Sequence, residues 1–227
     1  MSLTAYGADD IPSEHPTTAP GELRRLEREA VSGDPVMTAQ RLLGTLLVRD
    51  QGSVRRVARI VETEAYAGPH DRASHARAGR TARTAVMYGP PGHAYVYLVY
   101  GLHHCLNVVC GPDGEAAAVL IRAVEPVSGV EHMRRCRGQA AGVDVRLAAG
   151  PGLTCQALEV DRTLDGVDLL QDERLWLAER EASASPPTVL SGPRIGVGYA
   201  GSTWAAQPWR FGLAGSPALS KPFRAPS

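Results

Sequence analysis

The chain has 227 residues and carries 24 acidic and 24 basic side chains, so its formal net charge is zero. A neutral chain has no general attraction for nucleic acid, and any such partner must be held by a local basic patch. No apolar run approaches the ~20 residues that a membrane span needs, and the N-terminus lacks the pattern of a secretory signal. We therefore expect a cytoplasmic protein without a membrane partner.

The first predicted elements are helices followed by a β-hairpin. Residues 21–32 predict a short helix, and a second helix is expected after Asp34, a residue suited to cap it. Segments 45–49 and 54–66 flank a turn rich in polar residues and glycine. This arrangement predicts two antiparallel strands.

Alternating strands and helices are predicted in the rest of the chain. Segments 94–100 and 103–110 flank Gly101 and predict a second hairpin, and 115–126 predicts a further strand. Two more helices are expected near residues 128–138 and 150–160. The pattern indicates an α+β fold, a curved antiparallel β-sheet flanked by helices with a protruding β-hairpin.

The composition shows no internal boundary between domains. Residues 1–20 are rich in Pro, Thr and Ala without periodicity, which is typical of a flexible tail. We expect a single domain over 21–215 and a loose C-terminal tail over 216–227.

Polar and aromatic side chains are concentrated between residues 60 and 107, which hold five of the seven histidines and five of the seven tyrosines. Strand periodicity puts Glu62, Glu64 and Tyr66 on one face. Two carboxylates beside a tyrosine suit general acid–base catalysis. The alternative is that both glutamates are exposed on a solvated face.

Three flat rings from separate segments, Tyr66, His75 and Tyr97, could sandwich a planar ligand such as a nucleobase. The alternative is that one of Tyr95 and Tyr97 is a core residue. Tyr100 is predicted at the tip of the second hairpin, where an aromatic ring could wedge between the base steps of a duplex.

The loop that follows Tyr66 is rich in arginine, and these side chains suit phosphate contacts; they are Arg72, Arg77, Arg80 and Arg83. A charged loop that is simply solvated would look the same. Lys221 is the only lysine, so the glycine- and proline-rich segment 89–92 is not expected to be a phosphate-binding loop. The same lack of lysine argues against a Schiff base unless Lys221 or the N-terminus forms it. The four cysteines lack paired spacing, and we expect no metal site.

Several long segments resemble the alkyladenine (3-methyladenine) DNA glycosylase family. They are ARIVETEAYAGPHDRASHARAGRTART, GPPGHAYVYLVYGLHHCLNVV, AVLIRAVEP, GPGLTCQAL, and PRIGVG with PWRF. The resemblance implies a DNA repair enzyme that flips alkylated or otherwise altered purines out of the duplex and hydrolyses the N-glycosidic bond. It implies an abasic product without strand cleavage, no metal, and no cofactor. Double-stranded DNA with damaged purines would be the partner of a monomeric enzyme, associated with the nucleoid if the source is bacterial.

The resemblance also implies roles for residues near the chemistry. Glu64 matches the general base that activates water, and Arg122 matches the arginine that helps to hold this water. Ile195 and Gly196 would add backbone contacts near the water.

In the substrate pocket, Tyr66, His75 and Tyr97 match lining groups, and Asn107 matches the asparagine that disfavours guanine. Tyr100 matches the residue that fills the gap left by the flipped nucleotide. Beside it, Leu102 and His103 stand where the family often has methionine and an aromatic residue. The family's lesion preference and affinity for DNA are therefore not carried over to this chain, whereas the implied catalysis is.

Two rival functions stay open from the sequence. One is a metal-dependent nuclease that uses Glu62, Glu64, Asp71 and His75 as ligands. The other is a protein that binds damaged DNA without catalysis.

Overall fold

The computed structural model describes residues 23–138, 142–180 and 188–223. The tail predicted for 1–20 lies outside these ranges. The strands are β1 (Leu46–Gln51), β2 (Val54–Tyr66), β3 (Ala94–Val99), β4 (His103–Val109), β5 (Ala118–Ser128), β6 (Leu175–Ala178), β7 (Val189–Gly192) and β8 (Arg210–Leu213). The α-helices are α1 (Arg28–Val31), α2 (Pro35–Arg41), α3 (Val130–Arg137), α4 (Pro151–Ala157) and α5 (Ser202–Ala205).

All eight strands of the described residues join one antiparallel sheet, with the main order β3-β4-β5-β2-β1-β6. Strand β8 pairs with both β2 and β7. The long strand β2 is central because it pairs with β5 along one edge and with β1 and then β8 along the other. The prediction of an α+β fold with an antiparallel sheet is confirmed.

The helices pack on the sheet through a core of aliphatic side chains. Helix α2 contacts β2, α4 contacts β4, and α3 contacts α4. The predicted cap of α2 is present, since the backbone N–H of Met37 donates to the side chain of Asp34 at 2.9 Å. In the part of the chain that the structure describes, no helix is long and apolar enough to cross a membrane.

The helix predicted over 21–32 was wrong for most of the residues described. Only Arg28–Val31 are α-helical, whereas Arg25 forms a β-bridge with Ala178 and the N–H of Leu26 donates to the carbonyl of Leu177. Pairing with the edge of the sheet therefore overrides the local helical propensity.

The segment after β8 is packed against the sheet. Residues 216–223, here called the C-terminal segment, include the fully buried Ala218, and Ser220 is hydrogen-bonded to Glu62. The prediction of a loose tail was therefore wrong for these residues. The rest of that predicted tail, 224–227, lies outside the described chain.

Candidate active site

The acidic pair lies where the register between β2 and β5 is irregular. Glu62 pairs with Ala123, and Thr63 with Ile121, so Arg122 has no direct partner in the β2–β5 register. A bulge of this kind redirects a side chain. Glu62 and Glu64 are both fully buried, so the alternative of a solvated glutamate face was wrong.

Glu64 is held by three groups from three segments. Its Oε2 accepts a hydrogen bond from the Tyr66 hydroxyl at 2.8 Å, and its Oε1 accepts one from the Ile195 backbone N–H at 2.7 Å. Arg122 Nη1 lies 3.2 Å from the same Oε1. The two sequence segments expected near the water, β2 and 193–197, therefore meet at this carboxylate.

Glu62 lies on the other side of the Arg122 guanidinium. Arg122 Nε donates to Glu62 Oε1 at 3.1 Å, and Arg210 Nη1 donates to the same oxygen at 3.0 Å. Burial by itself would lower the pKa of Arg122, but the charges of Glu64 and Glu62 outweigh burial and raise it. Two carboxylates and two guanidiniums therefore balance in charge within a buried cluster, as buried ions require.

Next to Glu64 is a pocket that brings together the four residues predicted to contact a base. Tyr66, His75, Tyr97 and Asn107 all line it. Its other lining residues are Ala73, Ser74, Met87, Tyr95, Ala118 and Tyr199.

The rings of the pocket support one another. His75 and Tyr97 meet edge to face with ring centroids 4.5 Å apart, and Tyr95 lies 5.3 Å from Tyr97. Tyr95 is only 1% exposed, which confirms that one of the two tyrosines is a core residue. Its hydroxyl lies 3.0 Å from His75 Nδ1, and its carbonyl accepts from Asn107 Nδ2 at 3.0 Å.

The pocket is lined by uncharged aromatic groups near neutral pH. Burial, followed by the positive charges of Arg83 and Arg77, lowers the pKa of His75 to about 4. Burial raises the pKa of Tyr97, and burial with the nearby Glu64 charge raises that of Tyr66 well above its usual value. His75 is therefore a neutral imidazole.

The β3–β4 hairpin ends in exposed apolar side chains. Tyr100 is 92% exposed and has a positive φ of 52°, which is unusual for a residue with a side chain, and Leu102 is 76% exposed. Exposed apolar groups of this size are typical of a contact surface.

The four predicted phosphate-binding arginines are all exposed, and three lie against aromatic rings. The guanidinium of Arg83 lies 5.5 Å from the Tyr97 ring, that of Arg77 lies 4.9 Å from Tyr199, and that of Arg80 lies 5.9 Å from Tyr88. The fourth is Arg72, whose carbonyl accepts from Arg77 Nη1 at 2.9 Å. Arg77 and Arg83 therefore contact two of the rings that line the pocket.

A buried ion pair that the sequence did not indicate fixes the loop that follows Tyr66. Arg194 donates to both carboxylate oxygens of Asp71, at 2.5 and 3.0 Å, and both side chains are fully buried. Tyr199, also missed, donates its hydroxyl to the Ala73 carbonyl at 2.8 Å. Arg194 lies in the PRIGVG segment and Tyr199 directly follows it. No local sequence pattern indicates that these two residues would contact the loop after Tyr66.

The ligand set of the nuclease rival does not form. Glu62 and Glu64 are engaged by Arg122, Asp71 is engaged by Arg194, and His75 contacts Tyr95. Within residues 23–138, 142–180 and 188–223, no three His, Cys, Asp or Glu side chains are grouped to hold a metal ion. This arrangement gives the metal-dependent nuclease no support.

The chain also matches known proteins over most of its length. Residues 29–217 match the family model described as methylpurine-DNA glycosylase. The chain belongs to the methylpurine-DNA glycosylase family. A Homo sapiens relative named "DNA-3-methyladenine glycosylase" is 44% identical over 210 residues, covering 88% of this chain and 69% of the relative.

Two microbial relatives of this glycosylase are similar over nearly their whole length. Each is named "Putative 3-methyladenine DNA glycosylase". The protein from Anaeromyxobacter dehalogenans is 51% identical over 199 residues, covering 87% of this chain and 86% of its own. The protein from Methanocella arvoryzae is 46% identical over 201 residues, covering 88% of this chain and 97% of its own.

The predicted family and enzyme class are thereby confirmed. The protein is a DNA repair glycosylase, a hydrolase that acts on DNA. The rival of a DNA-binding protein without catalysis is not supported. The matched residues include every element that carries the pocket and the acidic pair, from β2 to β8.

Proposed function

We propose that this glycosylase binds a flipped, altered purine of the 3-methyladenine class between Tyr66, His75 and Tyr97, and that Glu64 is the general base for its release. The observation that carries the proposal is the position of the Glu64 carboxylate, which accepts a hydrogen bond from the hydroxyl of Tyr66, one of the aromatic residues that line the pocket. A base that leaves from this pocket would leave its sugar close to a negative charge.

The hydrogen bonds of Glu64 support a role in activating water. Oε1 is shared by the Ile195 N–H and Arg122, whereas Oε2 accepts only the Tyr66 hydroxyl among the described residues. A carboxylate oxygen has two lone pairs, so Oε2 can accept one more donor. A water at this oxygen would lose its proton to Glu64 as it attacks the sugar, while the negative charge stabilises the developing oxocarbenium ion.

The neutral pocket suits cationic and damaged purines. A purine alkylated at N3 or N7 is positively charged, and electron-rich rings such as Tyr66 and Tyr97 attract a cation. His75 is neutral, so it adds no repulsion, and its Nδ1 contact with Tyr95 leaves Nε2 for the base edge. Asn107, whose amide is fixed on the Tyr95 carbonyl, would exclude the 2-amino group of guanine at the pocket floor.

The exposed hairpin and arginines would hold the duplex. Tyr100 would enter the minor groove and fill the space left by the flipped nucleotide, because a stacked ring offsets part of the cost of unstacking. The phosphate contacts would come from the exposed guanidiniums beside the pocket, those of Arg72, Arg77, Arg80 and Arg83. In the proposed reaction the product is an abasic site in an uncut strand, since no lysine is among the described residues that line the pocket to form a Schiff base.

The test uses duplexes that carry ethenoadenine, hypoxanthine or 7-methylguanine. We expect released base, and strand breaks only after alkali treatment. Strand breaks before alkali treatment, or release that stops when a chelator is added, would contradict the proposed hydrolysis. Comparison among the three duplexes gives the lesion preference directly.

A further inference from the structure

The C-terminal segment makes direct contact with the acidic pair. Ser220 contributes two hydrogen bonds to the buried Glu62: its N–H donates to Oε2 at 2.6 Å and its hydroxyl donates to Oε1 at 2.8 Å. Arg122 Nη2 lies 3.4 Å from the same hydroxyl. Ser220 therefore contacts both Glu62 and the arginine that Glu62 shares with Glu64.

The same segment also fixes the second cation of the cluster. Arg210 donates to the carbonyls of Lys221 and Pro222, each at 3.1 Å, and its guanidinium lies 3.8 Å from the centre of the Phe223 ring. Phe223 packs so closely on β8 that a Cβ added at Gly212 would lie 2.6 Å from its ring. The segment is therefore seated in a specific place on the sheet.

The Arg122 guanidinium is rigid and planar, so fixing two of its nitrogens fixes the third. Nε is bound to Glu62 and Nη2 lies by Ser220, which leaves Nη1 directed at Glu64. Glu62 in turn depends on Ser220 for two of its four donors. A chain of contacts thus runs from the C-terminal segment to the Glu64 carboxylate.

We propose that Ser220 is a positioning residue for base release, acting through Glu62 and Arg122 on Glu64. The proposal rests on the proposed function of Glu64 as the general base. Ser220 does not line the base pocket, and it lies beyond the residues 29–217 that match the family model. Its hydroxyl should therefore affect the chemical step and leave the binding of damaged DNA unchanged.

The experiment compares Ser220→Ala with Ser220→Thr, which keeps the hydroxyl, and with Ser216→Ala. Ser216 is a matched control because its hydroxyl lies in the same segment but accepts from the Ala218 N–H. Single-turnover release of hypoxanthine from a duplex is measured for each variant, together with the affinity for that duplex. Urea unfolding at the assay temperature checks that each variant is folded when its rate is measured.

Loss of a hydrogen bond to a buried charge should slow single-turnover release about tenfold or more in Ser220→Ala. Affinity for the duplex should stay within about twofold, because the pocket and hairpin are untouched. Ser220→Thr should recover most of the rate, and Ser216→Ala should behave as the unchanged protein. A Ser220→Ala rate equal to that of Ser216→Ala would overturn the proposal, as would parallel losses of rate and affinity that threonine does not rescue.

Two further variants separate this proposal from the one on which it rests. Glu62→Gln should slow release, and adding Ser220→Ala should slow it little further, because both changes act on the same contact with Arg122. Additive losses would mean that Ser220 acts independently of Glu62 and would overturn the proposal. If Glu64→Gln is inactive while Ser220→Ala is fully active, only the role of Ser220 fails; an active Glu64→Gln contradicts the proposed base itself.

Discussion

Replacement of Arg194 by methionine should destabilise the protein strongly. Methionine keeps most of the aliphatic stem but removes the guanidinium, which leaves Asp71 as a fully buried carboxylate without its bidentate partner. Removal of one partner of a buried ion pair costs about 3–5 kcal/mol. The carbonyls of Ala65 and Trp204 also lose a donor, so the upper part of that range is expected.

Urea unfolding gives the free energy of unfolding, and a separate thermal unfolding experiment gives Tm. For a protein of this size, a loss of about 3–5 kcal/mol should lower Tm by roughly 10 °C. Base release should fall as well, because the Arg194 guanidinium lies 4.9 Å from the Tyr66 ring and the next residue, Ile195, donates to Glu64.

Arg174→Met is the matched control for this change. Arg174 pairs with Asp172 at 2.9 Å, but its side chain is 53% exposed. Such surface pairs contribute about 0–1 kcal/mol. The reasoning would be refuted if Arg194→Met lowered the free energy of unfolding no more than Arg174→Met.

Three further outcomes are expected. An NMR titration of the His75 ring should give a midpoint near its depressed pKa of about 4, and a midpoint close to 6.5 would contradict the described burial. Because this folded-state pKa lies below the unfolded one, the stability that neutral His75 contributes is present above about pH 6.5 and is lost as the pH falls towards 4. Tyr100→Ser should weaken binding to a lesion duplex about tenfold through lost stacking, and equal affinity across a salt titration would exclude the wedge role. Asp34→Ala should lower the free energy of unfolding by about 1 kcal/mol through loss of the α2 cap, while an unchanged urea midpoint would mean that the Met37 N–H is equally well satisfied by water.

Local patterns were sufficient to predict the elements that carry the site. Alternation in 54–66 predicted β2, and the hairpin around Gly101 was correctly predicted because turn residues separate two β-rich segments. The shared face of Glu62 and Glu64 also follows from strand periodicity. These features depend on residues that are close to one another in sequence, so they can be predicted from the sequence alone.

The rest of the site depends on contacts between residues that are distant in sequence. The bulge at Arg122 arises from the pairing of β2 with β5, and the pair of Arg194 with Asp71 joins residues 123 positions apart. The C-terminal segment looked loose because its composition is typical of a tail, but Ser220 is held by a carboxylate 158 positions earlier. Periodicity does not report such pairings.

Single-turnover base release by Glu64→Gln tests the central claim most directly. Glutamine keeps the shape of the side chain: its single amide oxygen can still accept the Ile195 N–H, and its NH2 can donate to the Tyr66 hydroxyl oxygen, but it is a far weaker base. The proposed mechanism predicts that release of ethenoadenine is abolished while affinity for the same duplex is retained. Release at the rate of the unchanged protein would contradict the assignment of Glu64 as the general base.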